Sequence, residues 1–157
     1  MVSIYKIVVA VGVSELTGVL GALFTYPSLS TWYASLQKPS FVPPNWIFFP
    51  VWVTLYTLMG IAAYLVWDKG LRARAVRTSL SLFALQLVLN FLWTFIFFGL
   101  HSLLYGLVEI VMLWIVIALT MISFSRVSKA AGLLLLPYIV WISIAGTLNY
   151  YLWLLNP

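Results

Sequence analysis

The sequence predicts an all-α membrane protein: a bundle of five transmembrane helices with a proline-rich lid loop between the first two. Three observations carry this expectation. First, 64% of the 157 residues are hydrophobic and 7% are charged, whereas a soluble domain has about 45–50% and about 25%. Polar residues are too few to cover a water-soluble globule, so lipid is the solvent. Second, the apolar residues gather into five runs, each near the roughly 20 residues that cross a bilayer core of about 30 Å. Third, backbone polar groups in lipid must be satisfied within the chain. Five continuous runs are too few for a closed barrel, so the runs are helical. The length suits one domain spanning 1–157.

The runs fall at about 7–26, 46–67, 79–99, 103–123 and 130–155, with ends known to about two to four residues. The first is too long for a cleavable signal, and no small-residue cleavage site follows it. The first connection, Pro27 to Asn45, holds Pro27, Pro39, Pro43 and Pro44. Proline fixes φ and lowers the entropy lost when a loop is ordered. A stiff, aromatic-bearing loop over a bundle suggests a lid; a plain connector is the simpler alternative. The second connection, Asp68 to Thr78, is basic. Only about three residues around His101 separate the third and fourth runs, which predicts a tight antiparallel hairpin. Pro137 lies inside the fifth run, removes one backbone hydrogen bond and should bend the helix. No internal repeat is visible, which argues against a transporter of inverted halves.

Charge sets the expected orientation. Lys6, Lys69, Arg72, Arg74, Arg77, Arg126 and Lys129 share one side, and Lys38 alone is on the other. By the positive-inside rule the N-terminus and the 68–78 loop face the cytoplasm, while the proline loop and the C-terminus face outward. The net charge of +5 is therefore topological and is no nucleic-acid footprint. With no cysteine, one histidine and three acids, disulfides and thiolate metal sites are excluded, and a metal cage or a Ser-His-Asp triad has little material.

Candidate functional residues lie inside the spans. Glu15 and Glu109 are costly in lipid and suspect by default. They read either as a proton relay or ligand contact, or as interhelical hydrogen-bonding glue, and the second is favoured. Gln86, Asn90 and Trp93 recur at i, i+4 and i+7 on one face of helix three. Amides are poor lipid neighbours, so that face points inward. Trp52 and Tyr56 are i and i+4 on helix two. Tyr138, Trp141 and Ala145 are i, i+3 and i+7 on helix five, with Asn149 a turn further on. Large rings beside small residues shape a cavity or simply pack. Interfacial belts account for about half of the eight tryptophans; the others fall mid-span. Ser14, Gly18 and Ala22 form a small-residue ridge on helix one. Such a ridge serves dimerisation or internal packing, with a homodimer interface slightly ahead.

Residues 31–56 read TWYASLQKPSFVPPNWIFFPVWVTLY. This resembles the signature of the translocator protein family, the tryptophan-rich sensory proteins that include the mitochondrial peripheral-type benzodiazepine receptor. The likeness continues through MGIAAYLVWDKG (59–70), QLVLNFLWTFIFFG (86–99) and LLPYIVWISIAGTLNYYLW (135–153). The resemblance implies a five-helix bundle, commonly dimeric, with a ligand pocket beneath the first loop for porphyrins, haem-related tetrapyrroles, sterols and benzodiazepine-receptor drugs. By motif match, Tyr33 and Pro43 belong to the lid, Trp52 and Tyr56 to helix two, Gln86, Asn90 and Trp93 to helix three, and Trp141 and Ala145 to helix five. Two departures stand out. Phe41 replaces the usual tryptophan after KPS, and Leu154 stands where the sterol motif needs a basic residue after LNYY. A sterol role is weakened accordingly.

The resulting expectation is a binding and sensory protein for apolar planar ligands, foremost tetrapyrroles. It needs no obligatory cofactor, takes porphyrin or haem as ligand, and has the lipid bilayer as its setting. Two alternatives remain. One is a light- and oxygen-dependent porphyrin breakdown, a trait of some family members, with Trp52 and Trp141 as photochemical residues. The other is ligand transport across the membrane.

The charge bias makes a direct prediction. In a cytoplasmic membrane, a reporter fused after Pro157 lies outside and one inserted in the 68–78 loop lies inside. The opposite labelling pattern overturns the orientation.

Overall fold

The computed structural model describes residues 3–157 and is helical throughout its spans. Helix α1 is Ile4–Leu29, a short α2 is Trp32–Ser35, and α3 is Asn45–Trp67. Helix α4, Arg74–Thr94, runs on into a wider π-helical turn, Phe95–Gly99. Helix α5 is Leu103–Val127, α6 is Lys129–Leu134 and α7 is Leu136–Leu155. Five stretches are long and apolar enough to cross a membrane: α1, α3, α4 with its π turn, α5, and α6 with α7. The expected spans therefore hold in number and place, with α1 reaching three residues further at each end.

The boundaries follow from local chemistry. Pro44 precedes the first residue of α3, where a missing N–H costs nothing. Pro50 sits in the second turn of α3, and its carbonyl accepts from Thr54 Oγ1 at 2.8 Å. Ser102 starts α5 by accepting from the Tyr105 N–H at 3.4 Å. The three-residue turn before α5 contains His101 at φ +54°, in the left-handed region. Its ring stacks on Trp32 with centroids 4.5 Å apart, and its Nε2 lies 3.3 Å from Ser28 Oγ. The bend expected at Pro137 is an interruption at Leu135: without the Pro137 N–H, the chain breaks into α6 and α7.

Helix α1 packs on α3 and α4; α5 packs on α4, α6 and α7; α6 also touches α3. The closest crossing is α1 on α3, where a Cβ on Gly60 would collide with the Val11 backbone. At one end of the bundle, Lys6 at the start of α1 pairs with Asp68 after α3 at 3.0 Å. The segment 30–44 is fastened to the other end. Gln37 and Asn156 exchange hydrogen bonds of 2.9 and 3.0 Å, Tyr33 is 2% exposed against Phe97 and Phe98, and Phe41 meets the edge of Tyr151.

Between the helices lies a polar layer. Asn90 of α4 accepts from Tyr56 Oη of α3 and donates to Tyr138 Oη of α7 at 2.8 Å. Trp93 Nε1 donates to Asn149 Oδ1 at 3.3 Å, and Asn149 Nδ2 caps the Leu103 carbonyl at 2.8 Å. Gln86 Nε2 faces Met59 Sδ at 3.7 Å. In lipid, such bonds hold helices together where the hydrophobic effect cannot.

Two predictions follow from this packing. Gly60→Ala forces α1 away from α3 and should cost about 1–3 kcal/mol, read as a lower thermal midpoint in detergent; Gly12→Ala, with nothing within 4 Å of the new Cβ, should change it little. Asn90→Leu strands both tyrosine hydroxyls and should cost about 1–2 kcal/mol. A midpoint unchanged by Asn90→Leu would show the bridge to be energetically idle.

Candidate functional site

The helices enclose a cavity of about 180 Å³. Helix α3 supplies Trp52 and Tyr56, one turn apart, with ring centroids at 5.5 Å and nearly parallel planes. It also supplies Asn45, Phe48, Phe49 and Val53. Helix α4 and its π turn add Trp93, Thr94 and Phe98, and α7 adds Trp141 and Ala145. The π turn matters here because its extra residue per turn leaves both Phe97 and Phe98 buried. The remaining wall is α1: Glu15, Gly18, Val19, Gly21, Ala22, Thr25, Tyr26 and Leu29. Val19, Tyr26, Phe49 and Val53 are exposed on the outside of the bundle. The cavity thus has a lateral mouth between α1 and α3, facing the lipid.

Polar groups in the wall are few. Glu15 accepts from Thr57 Oγ1 at 2.8 Å. The Trp141 indole N–H is buried and donates to no acceptor among the described residues. A buried donor without a partner costs roughly 1–3 kcal/mol, so a ligand acceptor placed there would recover that loss. Trp141 is held from the side by the edge of Phe48, with centroids 5.9 Å apart.

The structure brings Trp52, Tyr56, Trp93, Trp141 and Ala145 together on this cavity, as their helical spacing suggests. It places the other candidates elsewhere. Gln86, Asn90 and Tyr138 are each at most 1% exposed and lie behind the wall. The Asn90 oxygen and amide are already engaged by the two tyrosines. Helical period assigns a face but not a depth, so these residues support the wall and do not line it. Tyr33 borders a second, smaller hollow of about 30 Å³, which shares Phe48, Trp93, Phe98 and Ala145 with the first. Burial pushes the Tyr33 phenol up to about 12, so its hydroxyl stays neutral at physiological pH. Lys38 sits 4.8 Å above the same ring. Pro43 lines neither hollow.

The ridge of Ser14, Gly18 and Ala22 is a second correction. It faces into the chain rather than out toward another copy. Ser14 is fully buried, a Cβ on Gly18 would strike the Tyr56 ring, and Ala22 lines the cavity. Small residues let α1 approach α3 closely and leave room for a hollow beside it. That signal could have pointed to α1 as a cavity wall. The two acids also differ. Glu15 makes the expected interhelical bond, but neither carboxylate oxygen of Glu109 has a partner among the described residues.

Comparison with known proteins agrees with this architecture. The profile of the TspO/MBR family matches residues 10–154. The chain is 46% identical over 154 residues to the tryptophan-rich protein TspO of Chlorobaculum tepidum, which covers 98% of each chain. It is 42% identical over 141 residues to the translocator protein of Bos taurus, covering 88% of this chain and 83% of that one. To the tryptophan-rich sensory protein of Cereibacter sphaeroides it is 37% identical over 125 residues, covering 80% and 77%. With the five apolar helices and the tryptophan-lined interior, these matches establish that the chain is a multi-pass integral membrane protein and belongs to the TspO/MBR family.

Proposed function

We propose that the protein binds apolar planar ligands, foremost tetrapyrroles, in the cavity between α1, α3, α4 and α7, and acts as their membrane sensor. The observation that carries this reading is the wall itself: Trp52, Tyr56, Trp93 and Trp141 converge from three helices on one space. Indole and phenol rings offer large contact area with few rotors to freeze. The unpartnered Trp141 N–H supplies one directional contact. A few placed polar groups in a mostly apolar wall are the usual makeup of a small-molecule site.

The cavity's 180 Å³ is below the roughly 300–1,000 Å³ of sites that enclose a drug-sized molecule. A macrocycle would seat one edge between the rings and leave the rest in the lateral mouth. Ligand would then arrive from the bilayer rather than from water. The fastened loop, with Tyr33 over the smaller hollow, acts as the lid on that end of the bundle.

Protoporphyrin titration by tryptophan quenching tests the reading. Trp52→Ala and Trp141→Ala should each weaken binding about ten- to hundredfold, the loss of roughly 1–3 kcal/mol of stacking. Trp114 is the control: it lies on the outer side of α5, 41% exposed, with its Nε1 bonded to Ser143 Oγ at 2.9 Å. Folded cavity variants that bind as tightly as the parent, with Trp114→Ala impaired instead, would move the site elsewhere.

A further inference from the structure

Glu15 is the only charged residue on the cavity wall. It stands near the middle of α1, where a bilayer offers no water to solvate it. One carboxylate oxygen accepts from Thr57 Oγ1 at 2.8 Å. That hydroxyl also lies 2.9 Å from the Val53 carbonyl and has a single proton to give. The carboxylate is thus weakly compensated from within the chain.

No cation of the protein corrects the imbalance. On α1 the other charged residue is Lys6, nine positions earlier, about 13–14 Å along the axis at 1.5 Å per residue. Lys6 is already paired with Asp68 at 3.0 Å. Lys38 is committed to the carbonyls of Ala34 and Leu36 and to the face of Tyr33. The remaining basic residues lie in or beside the 68–78 and 126–129 segments, at the Lys6 end of the bundle.

The rest of the wall points the same way by a separate route. Trp52, Tyr56, Trp93 and Trp141 present aromatic rings to the cavity. Ring faces carry negative quadrupole potential and attract a cation within about 6 Å of the centroid, best of all on indole. Low dielectric strengthens both attractions. A carboxylate among electron-rich rings is a receptor for a positively charged nitrogen, and it repels an anion.

We propose that Glu15 makes the cavity selective for apolar planar ligands that carry a protonated amine or amidinium nitrogen. The selectivity rests on the cavity being a ligand site, as proposed above. The nitrogen donates to the carboxylate oxygen that Thr57 leaves free, and the planar body lies among the rings. A ligand that also bears carboxylates enters with them trailing in the lateral mouth, away from Glu15.

Three acridines of one ring system and different charge test this in zwitterionic nanodiscs: an aminoacridine, cationic at neutral pH; acridine itself, neutral; and an acridine carboxylate. The parent protein should bind the aminoacridine about 10- to 100-fold tighter than acridine, the range for a hydrogen bond to a charged group, and the carboxylate weakest. Glu15→Gln keeps an acceptor for Thr57 but removes the charge. It should bring aminoacridine down to the affinity of acridine and leave acridine unchanged. Thr57→Val keeps the charge and should keep the preference. Trp52→Ala should weaken all three probes. A charge preference that survives Glu15→Gln, or one that Thr57→Val abolishes equally, overturns the proposal. Probes sensitive to Trp52→Ala but bound without charge preference overturn it while leaving the cavity reading intact. Probes that ignore Trp52→Ala remove both.

Discussion

The bridge from Tyr56 through Asn90 to Tyr138 is the contact on which the interior depends. It joins α3, α4 and α7, which otherwise touch one another sparingly. Apolar side chains gain little by leaving lipid for one another, so packing alone gives these helices weak reason to choose a register. An amide with two phenols in reach does give a reason. Its donors and acceptor cannot be left bare in hydrocarbon without cost. Once Asn90 is satisfied, the rotation of α4 is set, and Trp93 a turn on is directed to Asn149 and the cavity.

The cavity is a by-product of that arrangement and of α1. The first helix is the least buried of the five spans. It contributes small residues where α3 contributes rings: Gly18 accommodates Tyr56, and Gly21 faces Thr94. Large groups on one wall and small ones on the other leave space between them. The same scarcity of burial on α1 keeps the mouth on the lipid side, where Val19 and Tyr26 meet Phe49 and Val53.

The spans were legible because a bilayer imposes a long, continuous apolar requirement that hydropathy reads directly. The three-residue turn at His101 was legible for the same reason: two spans left nothing else between them. The inward face of Gln86, Asn90 and Trp93 followed from period and cost. What failed to show was depth and partner. Period puts Asn90 and Trp93 on one face, but only the neighbouring chain decides that one is consumed in a bridge and the other lines a hollow. The ridge at Gly18 shows the same limit, since a close helix approach has one sequence signature whether the second helix comes from the same chain or another. The π turn has none: FIFFG reads as ordinary apolar helix.

That wide turn makes the segment length-sensitive in a way composition does not reveal. Residues 95–99 hold one more residue than an α-helical turn would. The surplus sets the phase between the Asn90 bridge below and the His101 turn above. Removing a single residue here would relax the backbone to regular α-helix and rotate everything beyond by about 100°. His101 would swing off Trp32, and the loop segment would lose its stacking partner. Conservative exchanges among the phenylalanines preserve the phase; a one-residue deletion does not. The segment behaves as a spacer whose count matters more than its chemistry.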